Sequence, residues 1–517
     1  MTIFGRHRRE RAPLSLVMAA GVGAVIAALP VVYLLDRARI RGLDEVRDEI
    51  FQRRTYDLVV RSATLMVVVT LACTVLGVVT ALLVTRTDLP LRRLWLVVLA
   101  LPLAIPTYLA AYAWVSVRPS LAGFRGAALV LILTSYPYVY LPVMAALTRL
   151  DPAQEEVARS LGLSPLAVTW RVTLRQIRPA ITAGALLVAL YVLSDFGAVA
   201  TMRYEVFTWV IYGAYNAGFN PARAAILSVV LLGLALFLVG LEMASRAGSA
   251  ATRVGAGAAR PSVLLSLGPL RPVATALVVG VFGLSIGFPT VSIARWLQRS
   301  VDADIDVGAL GDAAWASLRV SLLAAIVTTL LAIPIGVLAA RYRTRTSATI
   351  ERASYLAHAL PGIVIAISMV YVGVRLLRPI YQETPLLVLS YAVLFLPLSV
   401  GSVRAAVEQS SIRAEEVARS LGRRPVRAFV EVTGRAAAPG VGAGTALVFL
   451  AGMKELPATL LLHPTGMQTL ATGLWQRTSV SDYGGASPYA AALVLFAAIP
   501  TAVLGWWSGR LGDVASH

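Results

Sequence analysis

Stretch after stretch of this sequence runs almost free of charge for about twenty residues, the length a helix needs to cross a bilayer. Candidate spans fall near 13–35, 64–85, 94–117, 127–147, 181–201, 222–244, 272–290, 317–340, 354–374, 385–403, 440–461 and 487–507, twelve in all. Lipid offers no water to backbone N–H and C=O groups, so runs of this length must close their hydrogen bonds as helices. Hydrophobic residues make up 58% of the chain and charged residues 14%, where a soluble domain carries about 25% charge. So little polar surface cannot hide the apolar side chains from water. The expectation is an all-α polytopic membrane protein embedded in a lipid bilayer, which excludes a soluble enzyme, a disordered chain and a DNA-binding domain. A net charge of +19 would otherwise suit nucleic acid. Here the arginines sit in short clusters between apolar runs, as they do in cytoplasmic loops, and no nucleic-acid partner is expected.

Orientation follows from those clusters. Arg6, Arg8, Arg9 and Arg11 precede the first span and place the N-terminus in the cytoplasm. That span is long for a signal peptide, and eleven more follow it. Alternation then puts the arginines of 86–93, 149–178, 246–271, 341–352 and 404–435 inside. The segment 36–61, expected outside, mixes seven arginines with Asp36, Asp44, Glu45, Asp48, Glu49 and Asp57. The outside loop near 291–315 carries Asp302, Asp304, Asp306 and Asp312. An even number of spans leaves both termini on the cytoplasmic face of a cell membrane.

The residues for bond chemistry are sparse. Cys73 is the single cysteine, so no intrachain disulfide or Cys-based metal cluster can form. His7, His358, His463 and His517 are scattered. The only lysine, Lys454, follows Met453, whereas a phosphate-cradling loop needs Gly-Lys-Ser/Thr. The chain therefore carries no ATP site of that kind. It is expected to be no enzyme and to bind no cofactor, with any ATP held on another polypeptide.

An internal duplication is plain. Residues 155–162 and 415–422 both read EEVARSLG, an offset of 260 from Glu156 to Glu416. The offset persists at Pro137 and Pro397, Ala145-Ala146 and Ala405-Ala406, Val172-Thr173 and Val432-Thr433, Arg175 and Arg435, Pro179 and Pro439, and Gly184 and Gly444. Earlier it becomes 255, from Arg86 to Arg341 and from Ile105-Pro106 to Leu360-Pro361. The chain thus reads as two homologous halves, 1–255 and 256–517, of about six spans each. The repeated loop follows the fourth span in both, so the repeat is parallel rather than inverted.

Each repeated loop, 151–178 and 411–438, reads as a helix, a glycine turn and a second helix. Asp151 can cap the first helix and Pro152 fits its first position. Glu155 and Glu156 favour its positive end, as do Glu415 and Glu416 in the second copy. Gly162 and Gly422 can take the left-handed conformation that ends a helix. Ser164-Pro165 starts the second helix, with Pro425 at the equivalent place, and Pro179 and Pro439 mark the return to the membrane. Such a rigid knob suits a groove on a soluble partner; a loop that merely caps the bundle is the alternative.

These knobs resemble the EAA motif of ABC importer permeases, E-A-A-x-x-x-G followed by I-x-L-P. The copies here are Glu156-Val157-Ala158 with Gly162 and Glu416-Val417-Ala418 with Gly422; the tails Val172-Thr173-Leu174-Arg175 and Val432-Thr433-Gly434-Arg435 depart from the pattern. The resemblance implies a type I importer permease in which Glu155, Glu156, Ala158, Gly162, Glu415, Glu416, Ala418 and Gly422 form coupling helices. It implies two copies of an ABC ATPase as partners, binding ATP, and a separate extracytoplasmic solute-binding protein. A fused permease with two motifs, and Met453-Lys454-Glu455-Leu456-Pro457-Ala458-Thr459-Leu460-Leu461-Leu462 in its second half, looks like the bacterial ferric-iron permeases. Iron(III) delivered by an iron-binding protein is the implied cargo. Thiamine, an inorganic anion or a polyamine remain alternatives within the class, and a secondary transporter outside it.

Asp195, Lys454 and Glu455 fall within or at the ends of apolar spans, where a charge costs at least about 2.5–3.5 kcal/mol at mid-bilayer. Asp195 and Glu455 are related by the offset of 260. Gly197 and Pro457 follow them by two positions, so each helix can break there and open backbone groups to a wet path. Asp195, Lys454, Glu455 and Pro457 are the candidate translocation residues; the competing reading makes them helix ends at the outer interface. The aromatic stretch Tyr204 to Tyr215, with Thr469 to Trp475 as its counterpart, reads as an outer interfacial helix or gate. Tyrosine ligation of iron is the other possibility.

Overall fold

The computed structural model describes residues 12–41, 43–150, 153–218, 220–247, 264–300, 306–342 and 344–497. Arg6, Arg8, Arg9, Arg11, Asp151, Pro152, Asp302 and Asp304 lie outside the described residues. The first part of the chain gives helices α1 (Leu14–Arg41), α2 (Arg53–Arg86), α3 (Thr107–Val117), α4 (Phe124–Thr148), α5 (Ala153–Ser160), α6 (Pro165–Ser194), α7 (Gly197–Thr201), α8 (Phe207–Asn216) and α9 (Pro221–Ala247). The second gives α10 (Gly268–Ser300), α11 (Val307–Arg341), α12 (Gly362–Arg375), α13 (Thr384–Glu408), α14 (Ile412–Ser420), α15 (Pro425–Met453), α16 (Pro457–Leu462) and α17 (Leu470–Ser479).

Among the described residues, nine helices are long and apolar enough to cross a membrane, or ten if a bent pair counts as one span. Three of the twelve expected stretches are not continuous helices of that length among the described residues. The 94–117 stretch bends by 88° between Ala104 and Thr107. Ile105 precedes a proline and is extended, with φ −85° and ψ 123°, because the proline ring disfavours helical backbone before it. Leu360, before Pro361, breaks the 354–374 stretch in the same way, with φ −95° and ψ 129°. Beyond that break α12 has only 14 residues, too few to span. The stretch at 487–507 is helical to residue 497 and then leaves the described residues.

Two other boundaries move. The 291–315 stretch is mostly helical, since α10 runs to Ser300 and α11 starts at Val307, capped by Asp306 accepting from the Ala309 N–H at 2.9 Å. Pro179 and Pro439, read as the return to the membrane, lie inside α6 and α15. Each of these helices enters through a π turn, Thr169–Thr173 and Phe429–Gly434, and runs on through its proline. One missing backbone hydrogen bond is tolerated in a packed membrane helix.

The chain forms two compact units, and neither coincides with a sequence half. One comprises 1–46, 306–473 and 495–517; the other comprises 47–305 and 474–494. The first helix of each half joins helices of the other half. In the first unit, Ala20 and Ala27 of α1 share a core with Ala332, Ile335, Leu396 and Val400 of α11 and α13. In the second, α10 packs on α3: Trp114 stacks on Phe288 at 3.9 Å, the Ser292 hydroxyl donates to the Ala113 carbonyl at 3.0 Å, and Trp296 Nε1 donates to Ser116 Oγ at 3.0 Å. Thr87 pairs with Leu265 in a short parallel bridge. Two loops expected on one face, 86–93 and 246–271, thus meet within this unit. Glu49 pairs with Arg223 at 2.8 Å and Arg61 with Glu205 at 3.1 Å, so part of the mixed charge of 36–61 is neutralised within the same unit.

The duplicated glycines mark close helix crossings. A Cβ on Gly184 would sit 2.8 Å from Val139 Cα of α4, and one on Gly444 would sit 2.5 Å from Ser402 Cβ of α13. Small residues let membrane helices approach this closely. Gly184→Leu is expected to destabilise the purified protein by about 1–3 kcal/mol through overpacking. Gly233→Leu, at a glycine with open space beside it, should leave the thermal unfolding midpoint in detergent unchanged.

Candidate functional site

The two knobs have the form expected of them. Gly162 and Gly422 have φ of +84° and +86°. The Gly162 N–H donates to the Arg159 carbonyl and the Leu163 N–H to that of Ala158, while Gly422 and Arg423 bond Arg419 and Ala418 alike. This is the double bond of a glycine-terminated helix, and residues with a Cβ adopt that backbone only with strain. Ser164 caps the following turn, accepting from the Ala167 N–H at 3.3 Å.

The paired acids of each motif divide their roles. Glu156 and Glu416 are exposed, whereas Glu155 is buried and Glu415 half-buried. Glu155 accepts from Arg86 Nη1 at 3.2 Å and from the Thr173 hydroxyl at 2.8 Å, and Arg86 Nη2 reaches the Leu147 carbonyl at 3.1 Å. Glu415 is held by Arg341 Nη2 at 2.7 Å and by the Thr433 hydroxyl. Arg341 also reaches Ser410 Oγ at 2.8 Å and Thr433 Oγ1 at 3.0 Å. Ala158 packs inward, and Ala418 is half-buried. Outward the knobs share four pairs of large apolar residues, Val157, Leu161, Leu166 and Trp170 on one and Val417, Leu421, Val426 and Val430 on the other, and the second also exposes Ile412. All four pairs are related by the offset of 260. Exposed apolar residues clustered in this way mark an interaction surface.

The second feature is a helix break in each unit. α6 ends at Ser194, and Asp195 turns extended, with φ −67° and ψ 130°. One Asp195 carboxylate oxygen accepts from the Ala198 N–H at 2.9 Å, capping α7, and the other accepts from the Thr107 hydroxyl at 2.6 Å. The Asp195 carbonyl, freed by the break, accepts from the Thr208 hydroxyl at 2.7 Å. In the other unit α15 ends at Met453, Lys454 caps it, and Pro457 opens α16 at the position where a proline needs no donor. Glu455 accepts from the Ala458 N–H at 3.0 Å, and its carbonyl accepts from the Thr459 hydroxyl at 2.7 Å. Thr107 is replaced by Gly362 at the offset of 255, where a Cβ would lie 3.4 Å from Glu455 Oε1. The longer carboxylate occupies the room the glycine leaves.

Beside Asp195, Phe196 meets Tyr212 at 5.1 Å, Trp475 at 5.4 Å and Trp209 at 6.1 Å between ring centroids. The aromatic stretch and its counterpart therefore make contact within one unit. Burial pushes the Tyr204 and Tyr212 phenols above their ordinary range. Among the described residues no three His, Cys, Asp or Glu side chains come together as a metal site.

Two helix breaks capped by carboxylates and two matched surface knobs, all in a chain of apolar spans, point to a transport subunit. A profile described as "binding-protein-dependent transport system inner membrane component" matches residues 62–247 and again 332–512. The chain belongs to this permease family. The Fe(3+)-transport system permease protein FbpB 2 of Haemophilus influenzae is 36% identical to the permease over 498 residues, covering 96% of this chain and 98% of that protein. The sulfate transport system permease protein CysT of Salmonella typhimurium is 31% identical over 190 residues, 32% of this chain and 68% of the relative. A putative 2-aminoethylphosphonate permease, PhnV, from the same species is 28% identical over 199 residues, 37% of this chain and 73% of that protein. The permease is a multi-pass membrane transport subunit and not itself the catalyst of a bond-making reaction.

Arg86, Arg341, Thr107 and Thr208 were not singled out as site residues from the sequence. The first two and the threonines Thr173 and Thr433 carried one signal, recurrence at the two offsets. Replacing Thr107 by valine leaves a buried carboxylate one donor short, a loss of about 1–3 kcal/mol. Thr107→Val should lower the unfolding midpoint of the permease, and Thr107→Ser should restore it.

Proposed function

We propose that this permease forms the membrane path of an ATP-driven importer for iron(III). The observation that carries the reading is the extent of the likeness to the Haemophilus influenzae Fe(3+) permease, which runs through 98% of that protein, whereas the sulfate relative matches only 32% of this chain. In this reading two identical ATPase subunits hold the ATP and grip 151–178 and 411–438 through the matched apolar faces and the exposed Glu156 and Glu416. An extracytoplasmic iron-binding protein delivers the ion, and both termini face the cytoplasm. ATP-driven closure of the ATPases displaces the knobs, and the permease alternates its access.

The helix breaks are the parts of the path this chain supplies. Asp195 and Glu455 hold the breaks open by capping α7 and α16, and Pro457 and Lys454 bound the second break. Backbone groups released from helix, together with hard carboxylate oxygens, suit a transient ferric ion.

The test is uptake into proteoliposomes holding the permease, its ATPase and its binding protein. Radioactive iron(III) should accumulate on ATP addition, while labelled thiamine and sulfate should not. Uptake of either of the latter without iron would overturn the cargo assignment, and failure of an ATPase to co-purify would overturn the importer reading. Asp195→Asn combined with Glu455→Gln should cut iron uptake by about tenfold or more, the scale of one lost charge contact (about 1.4 kcal/mol). Unchanged uptake in assembled complexes would remove both carboxylates from the path.

A further inference from the structure

We propose that Arg86–Glu155–Thr173 and Arg341–Glu415–Thr433 are clasps that carry motion from each surface knob into a membrane helix remote from it in sequence. Arg86, Glu155, Thr173, Arg341, Glu415 and Thr433 are positioning residues in this scheme. The proposal rests on the reading of 151–178 and 411–438 as the ATPase contacts and adds how their displacement reaches the bilayer.

The chain itself joins each knob only to its sequence neighbours. α5 is tied covalently to α4 before it and α6 after it, and α14 likewise to α13 and α15. A third membrane helix packs along both of these neighbours, α2 on α4 and α6 and α11 on α13 and α15, and the clasp ties its end directly to the knob carboxylate. Arg86 is the last residue of α2, 69 positions before Glu155, and Arg341 is the last residue of α11, 74 positions before Glu415. Among the described residues they are the two longest helices, at 34 and 35 residues. Each runs about 50 Å at 1.5 Å per residue, against a hydrocarbon core of about 30 Å. A helix gripped at its end moves along its full length, so a shift at the knob is felt across the membrane.

The ends are matched electrostatically. Each arginine sits at a helix C-terminus, where the aligned peptide dipoles favour a cation, and each glutamate lies in the first turns of a knob helix, where they favour an anion. The Arg86 and Glu155 side chains are each 6% exposed, so water screens the pair little and it resists sliding. Charge-assisted hydrogen bonds of this kind are the strong ones. The threonine completes a three-way junction, because Thr173 and Thr433 lie in the π turns through which α6 and α15 leave the knob. The glutamate carboxylate therefore joins the knob helix, the returning helix and the remote helix at one point. Both halves keep this junction while their auxiliary contacts differ: Leu147 and Arg159 in one, Ser410 in the other.

The experiment uses the full permease with its ATPase and binding protein in nanodiscs for hydrolysis and in proteoliposomes for uptake. Glu155→Gln, Arg86→Met and Thr173→Val are compared with the unaltered complex, and Arg86→Lys serves as the conservative variant. The readout is substrate moved per ATP hydrolysed. Coupling between sites is commonly worth about 5–150-fold, and a fall of about tenfold in this ratio is expected for Arg86→Met in complexes that retain the ATPase. A smaller fall is expected for Thr173→Val, and partial recovery for Arg86→Lys. An unchanged ratio, or loss of the ATPase from the variant complexes alone, would overturn the clasp and leave the docking assignment standing. Failure of the unaltered permease to retain any ATPase would instead overturn the reading on which the clasp rests.

Discussion

Backbone polar groups in lipid have no water to turn to, and two of the places where this chain breaks an apolar helix, Asp195 and Glu455, are built around that fact. At Asp195 the side chain caps the next helix while Thr208 satisfies the carbonyl that the break releases. At Glu455 the side chain caps α16 and Thr459 serves the carbonyl. The breaks exist because specific side chains replace the hydrogen bonds the helix gives up.

The duplicated halves solve this problem with different atoms. One uses a short carboxylate and a threonine donor, Asp195 with Thr107. The other uses a longer carboxylate and a glycine, Glu455 with Gly362. A side chain lengthened by one methylene needs room where the hydroxyl stood. The aromatic cluster on Phe196 has no ring at the equivalent Leu456. The path proposed for the substrate is thus lined differently by its two halves. The knobs behave in the opposite manner, with eight identical residues, the same glycine turn and the same outward apolar pairs.

Much of this was legible in the residues. Apolar runs of bilayer length dictate membrane helices, because nothing else closes the backbone hydrogen bonds there. The breaks at the repeated Ile105-Pro106 and Leu360-Pro361 are not read from the residues, since 94–117 and 354–374 look like single apolar spans, although proline restricts the residue before it. The repeated glycine dictates the knob turn, since the backbone must pass through positive φ after an eight-residue motif that is otherwise helical. Pro179 and Pro439 sit inside continuous helices, because a proline inside a packed membrane helix is tolerated when its neighbours absorb the lost bond.

The tertiary structure alone decided which distant groups meet. Arg86 and Arg341 look like ordinary positive ends of spans, and only folding brings each against a glutamate, 69 and 74 residues on. Thr107 and Asp195 are 88 positions apart with no periodicity linking them. The placing of each half's first helix with the other half's helices is likewise invisible in the repeat, because apolar faces specify burial without naming the partner. Local chemistry set the helices, their breaks and their turns, and packing assigned the contacts through which they act.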